Sequence, residues 1–332
     1  MRRVLTILAL AVALLPAPDK HKPLAVRPGT LLVAARPLPL RASGPALRRV
    51  GALTYLGGWE LRSDNRAFGG LSALLVDSGD RVMALSDSGM LMGFGLRQGD
   101  LRRAFIAPLP IRPDERDKQW WWWDSESLTH DPMTDRYWVG FELQQRICRY
   151  APGFARVEAC RVWPQVKAWP KTGSIESLVR LPDGRFLAIA EMAMTRQGAH
   201  QALLFPGDPA EASTAAPIPL GYVPPQGYRP TDAVALDERH VLVLNRRLTL
   251  SELFTATIAI VALPERPEAG DRLLTRTLAR LAPPLLADNF EGIALGRESN
   301  GQRTLWIISD DNHEFFQRTL LLKFALDDDL IE

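Results

Sequence analysis

Asp124-Ser125-Glu126-Ser127-Leu128, a turn at Asp131-Pro132-Met133-Thr134, and an apolar run at 137–141 closing on Glu142 make up the stretch on which the fold is read. Short apolar runs between Gly, Pro, Asp and Asn, without long 3.6-residue periodicity, predict strands. The same order returns at Ser72-Ala73-Leu74, Glu176-Ser177-Leu178, Asp232-Ala233-Val234 and Glu291-Gly292-Ile293: a polar, usually acidic residue, a small one, an aliphatic one. Aliphatic positions 74, 128, 178, 234 and 293 stand 50–59 residues apart. A turn and a second apolar run follow each time, at 82–85, 137–141, 186–190, 241–244 and 305–308. Two further strand-like runs fill each period. A repeat of this length holding four strands predicts an all-β chain, a β-propeller of four-stranded blades, because one such sheet cannot bury both faces alone. The repeat count is five, or six if residues 24–60 conceal a degenerate unit. Residues 47–61 read as the last strand of a blade whose other three strands lie at the C-terminus. Pairing the N- and C-terminal strands then closes the ring without an open edge.

Outward from the repeats, Arg2 and Arg3 precede an apolar stretch at 4–15 and the small residue Ala17. This order predicts a signal peptide at 1–17, with an uncleaved anchor as the alternative. Residues 18–46, rich in Pro, Arg and Ala, read as an irregular arm, and 47–332 as a single domain. Apolar residues make up 46% of the chain, enough for a sizeable core. Lys+Arg 40 against Asp+Glu 38 leaves +2, which gives no reason to expect nucleic acid. No second apolar run reaches spanning length, so the expectation is a periplasmic or secreted monomer without a transmembrane segment in the mature chain. Cys148 and Cys160 sit in strand-like runs around Gly153-Phe154. In a hairpin they lie roughly opposite and can form a disulfide, the alternative being two separately buried thiols.

The recurring acids carry the candidate chemistry. First strands line a propeller's channel, which would gather Glu126, Glu176, Asp232 and Glu291 near one rim. The ends of the second runs add Asp87, Glu142, Glu191, Asp310 and Asp311 on a nearby level. Crowded carboxylates must take up protons, pair with cations or hold a metal. A ring of oxygen donors suits Ca²⁺, with Glu126, Glu176, Asp232, Glu291 and Asp310 as ligands. The alternative is that each acid bonds backbone N–H groups of the next blade. Cationic partners on offer are Arg66, Lys171, Arg229, Arg246 and Arg247, of which Arg229 and Arg246 are the expected clamp for anionic oxygens. Trp120–Trp123 can either stack on a ligand, with Trp122 and Trp123 the expected contacts, or pack between blades. No nucleophile elbow, phosphate-cradling loop or HExxH occurs, and the five histidines lack ligand spacing.

Phe68-Gly69-Gly70-Leu71-Ser72, Ser174-Ile175-Glu176-Ser177-Leu178, Asn289-Phe290-Glu291-Gly292-Ile293-Ala294 and Ser309-Asp310-Asp311-Asn312, with the stretch quoted first, resemble the phytase-like family described by an esterase-like activity of phytase. The likeness runs from about residue 57 to 322. It implies a relation to Ca²⁺-dependent, six-bladed propeller hydrolases of phosphate monoesters. The expected function is thus a metal-assisted hydrolase of a small anionic ester or phosphoester, with Glu126, Glu291 and Asp310 as catalytic groups. The alternative is a non-catalytic propeller that binds a ligand, sugar or partner protein through its channel face.

Overall fold

The computed structural model describes residues 29–42, 45–77, 80–96, 104–115, 118 and 120–327; the expected signal peptide lies outside them. Four antiparallel units follow one another along the chain. Leu71–Val76, Arg81–Ser86, Met90–Gly95 and Phe105–Pro108 form the first. Ser125–Asp131, Arg136–Phe141, Arg146–Tyr150 and Val157–Val162 form the second. Ile175–Arg180, Phe186–Met194, His200–Phe205 and Ile218–Val223 form the third. Arg229–Ala235, His240–Thr249, Leu253–Ala262 and Arg272–Leu281 form the fourth. A short parallel pairing of 221–223 with 272–274 joins the third and fourth into one sheet.

The last unit draws on both ends of the chain. Phe290–Arg297, Arg303–Ser309 and Leu320–Leu326 are completed by Leu53–Arg62, which pairs antiparallel with Leu320–Leu326. The first strands of the units lie against one another in chain order, and Phe290–Arg297 packs back on Leu71–Val76. The segment expected to be an irregular arm contributes short strands instead. Gly29–Thr30 extends the first unit beside Phe105–Pro108, and Ala34–Pro37 pairs with Leu53–Arg62. Both cover strand edges that would otherwise be open to pairing.

The core explains why this arrangement is stable. Among the described residues, buried side chains form five clusters, each between the facing sheets of neighbouring units. Leu128, Val139 and Phe141 of the second unit meet Ala73, Leu85 and Leu91 of the first. Ile258, Leu281 and Leu244 of the fourth meet Phe290, Ile307 and Phe324 of the last. Each sheet thus buries both faces, which a lone four-stranded sheet cannot do. Cys148 and Cys160 face each other across the hairpin of Arg146–Tyr150 and Val157–Val162 and are joined in a disulfide. Among the described residues no helix is long and apolar enough to cross a membrane.

Candidate functional site

Strand register, more than composition, decides which acids meet. The first strand of every unit carries a β-bulge near its start, where one residue drops out of the ladder. That residue is Ser72, Glu126, Glu176, Thr231 and Glu291 in successive units. A bulge re-aims its side chain, and here it turns Glu126, Glu176 and Glu291 toward one rim. On the second strand, the residue after the partner of the position just before the bulge is Asp87, Glu142, Glu191, Arg246 and Asp310 in the same order. The two series mix across units. Glu126 feels Asp124, Glu142, Asp87 and Glu291, whereas Glu176 feels Glu126, Glu142, Glu191 and Glu291.

In the second unit, ligand oxygens of Asp124, Glu126 and Glu142 lie within 4.8 Å of one another. Burial, followed by repulsion from Glu142 and Asp87, pushes the Asp124 carboxyl up to about 8. Burial and the same neighbours hold Glu126 well above the ordinary carboxylate range. Backbone contacts brace the group. The Gly173 N–H donates to a carboxylate oxygen of Glu142, the Ser174 hydroxyl donates to the Glu142 carbonyl (3.1 Å), and the Ser125 hydroxyl donates to the Ser86 carbonyl (2.7 Å). Three clustered oxygen donors that repel one another fit a hard divalent cation such as Ca²⁺, which would relieve the repulsion that protons otherwise relieve.

The other side of the rim carries its own cation. Arg246 donates to Glu191 Oε1 (2.9 Å), to Asn289 Oδ1 (2.5 Å) and to Glu291 Oε1. Burial works against its charge, but Glu291 and Glu191 more than offset this and hold the guanidinium firmly protonated. Burial raises Glu291, Arg246 lowers it and Glu191 raises it again, leaving its carboxyl at about 7. Asp310 is buried and held well above its ordinary value by burial and then by Asp87 and Glu291. One of its oxygens accepts the Asn312 N–H at 2.7 Å.

The remaining expected site residues stand elsewhere. Asp232 is not the bulged residue of its strand; Thr231 is. At 1% exposure, Asp232 accepts backbone N–H groups from Ala233 (2.8 Å) and from Ile293 of the next unit (2.9 Å). It therefore makes the inter-blade backbone contact named above as the alternative to a ligand role. Arg229 lies opposite Arg246 in the ladder, is exposed, and donates to Met192 Sδ (2.9 Å). Arg247 faces away, pairing with Glu252 (2.6 Å) and stacking over Tyr228. The four tryptophans form a 3₁₀ turn, Trp120–Trp123. Trp122 donates from Nε1 to Glu115 (3.2 Å) beneath Arg146 and Lys118, and Trp123 packs on Gly89, whose positive φ (+74°) and missing Cβ admit it. Asp124 escaped the sequence reading because the corresponding positions, Gly70, Ser174, Arg229 and Asn289, are not acidic.

The family described as "Phytase-like: Esterase-like activity of phytase" matches residues 66–313. No curated protein sequence matches the chain. Among solved structures, similarity extends to an α-L-arabinofuranosidase from Podospora anserina in complex with cellotriose (9% identity, 80% of this chain and 93% of that one, TM-score 0.46). It also extends to a β-propeller domain from Myceliophteria thermophila (9%, 93% and 100%, TM-score 0.40) and to hydrazine synthase of Kuenenia stuttgartiensis (12%, 74% and 78%, TM-score 0.39).

Proposed function

Since the chain belongs to the Phytase-like family and has the β-propeller fold, we propose that it is an exported, metal-assisted hydrolase of an ester or phosphoester. Five four-stranded units, with the first and last in contact, support a ring of five blades. The disulfide supports an oxidising compartment, periplasmic or extracellular.

One observation carries the reading: the approach of Asp124, Glu126 and Glu142 to within 4.8 Å. These three residues would hold the cation, which when bound supplies charge stabilisation to the scissile group and a more acidic water. Glu291, with its carboxyl at about 7, has the proton affinity of a general base at neutral pH. It takes the proton that water loses as its oxygen bonds to the acyl or phosphoryl centre. Asp310 keeps its proton through burial and gives it to the departing alkoxide as the ester bond breaks. Arg246 keeps Glu291 in place throughout.

The test is metal content by mass spectrometry together with hydrolysis of 4-nitrophenyl phosphate and 4-nitrophenyl acetate, in the parent chain and in Glu126→Gln and Asp124→Asn. The expectation is loss of bound metal and a fall in kcat/KM on the order of 100-fold or more. Unchanged metal content and turnover in both variants would overturn the reading. Metal loss without any turnover to lose would leave a binding propeller.

A further inference from the structure

Between the third and fourth units lies a cavity of about 520 Å³, walled by Glu191, Met192, Met194, Pro224, Tyr228 and Arg229. Glu191 belongs to both places: it lines this cavity and accepts from Arg246 at the acid centre. The two thioethers are unusually open for such large apolar groups, Met192 at 41% and Met194 at 47% exposure. Methionine side chains on a cavity wall adapt to aromatic and alkyl surfaces. Tyr228 gives the opposite wall rigidity. Its ring lies under Arg247, and its hydroxyl accepts from Arg280 Nε (3.0 Å) and Thr255 Oγ1 (3.1 Å).

Arg229 is the polar feature of this cavity that has no counter-charge. Arg246 is held by two carboxylates and Arg247 by Glu252. Among the described residues Arg229 has no carboxylate partner; its guanidinium meets the sulfur of Met192 at 2.9 Å. Thioether sulfur is a weak acceptor, so an anionic oxygen would displace it readily.

We propose that this cavity seats the substrate's organic group, and that the substrate is an aryl or short-alkyl phosphomonoester whose non-bridging oxygens are met by Arg229. Its apolar part lies against Met192, Met194 and Pro224. The assignment rests on the acid centre being the hydrolytic site. Charge decides against a polyphosphorylated polyol. A polyanion would need several unpaired cations, whereas among the described residues lining this cavity Arg229 is the one cation.

Binding is tested separately from turnover. Phenylphosphonate, inorganic phosphate and inositol hexakisphosphate are titrated calorimetrically into the parent chain, Arg229→Gln, and the double variant Met192→Ser/Met194→Ser, with Tm recorded for each. The changed side chains are surface-exposed, so folded variants are expected. Arg229→Gln should weaken phenylphosphonate about 10–100-fold. The methionine pair should weaken phenylphosphonate about 5-fold and leave inorganic phosphate unchanged. Phenylphosphonate affinity that ignores Arg229, or tighter binding of inositol hexakisphosphate than of phenylphosphonate, overturns the proposal. Phenyl phosphate turnover that persists in all variants sinks the cavity assignment and leaves the hydrolase reading intact. Phenylphosphonate binding that depends on Arg229 in a chain without turnover does the reverse.

Discussion

Replacing Arg246 with methionine tests the charge balance of the rim most directly. The guanidinium is 23% exposed and joins Glu191 and Glu291, at 12% and 13%. Removing one partner of a buried ion pair costs about 3–5 kcal/mol, because it strands the opposite charge. Two carboxylates are stranded here, so R246M should lie toward the upper end. At roughly 2 °C per kcal/mol for a chain of this size, Tm should fall by roughly 6–10 °C at pH 8.5. Arg246→Lys keeps a charge but not the fork that reaches Glu191, Asn289 and Glu291 together, and should lose about half as much.

The pH dependence separates lost charge from lost packing. The Glu291 carboxyl stands at about 7 in the fold against an ordinary 4.5. A carboxyl raised in this way contributes stability that is fully present below the ordinary value and is lost as pH rises through about 7. Without Arg246 the folded value climbs further, so the loss extends to higher pH. The gap between parent and variant should therefore be widest above pH 8. At pH 5, where Glu291 is neutral, its share of the gap should be lost, leaving the ion pair with Glu191 and about 1–2 kcal/mol of hydrogen bonding and packing. Thermal melts across pH 5–9 in the presence of a chelator provide the assay. A gap of the same size at both ends, or a Tm change below about 2 °C, would refute Arg246 as counter-ion.

Asp232→Ala should leave cation binding unchanged and cost about 1–3 kcal/mol by calorimetry, since it orphans the Ile293 N–H; altered metal stoichiometry would place Asp232 among the ligands after all. The metal-free chain should lose stability as pH rises through about 8, where Asp124 ionises against Glu142 and Asp87, and added Ca²⁺ should restore it. Melts that are flat from pH 6 to 9 without the cation would contradict that assignment.

The architecture was legible because propeller units impose one grammar repeatedly. A strand start, a turn and a second apolar run recur wherever a sheet must bury both faces. The bulged acids Glu126, Glu176 and Glu291 were legible for the same reason. Asp232 misled because Asp232-Ala233-Val234 satisfies the acid–small–aliphatic order one residue out of frame. Strand faces alternate with a period of two, so a slip of one residue sends a side chain to the opposite face. Only the pairing of Asp232 with Leu244 and Pro230 with Asn245 reveals that the bulge belongs to Thr231. Asp124 and the 3₁₀ turn of Trp120–Trp123 were hidden because each occurs in one unit, and a repeat argument sees only what recurs.

The fourth unit departs most from the pattern of the others, and that departure divides the charges of the rim. Were its two positions acidic like those of the second, third and last units, acids would run unbroken from the second unit to the last, and no side would favour a cation over another. With Thr231 at the bulge and Arg246 at the second-strand position, the repulsion around Glu191 and Glu291 is met from within the chain. The repulsion around Asp124, Glu126 and Glu142 is left to protons or a bound ion. Burial, Arg246 and Glu191 together give Glu291 its intermediate proton affinity, since full neutralisation would drop it to an ordinary carboxylate and none would leave it permanently protonated. The same substitution sets Arg229 opposite Arg246 in the ladder. Among the described residues the Arg229 guanidinium has no carboxylate partner and lines the neighbouring cavity with Glu191, on the Arg246 side of the rim.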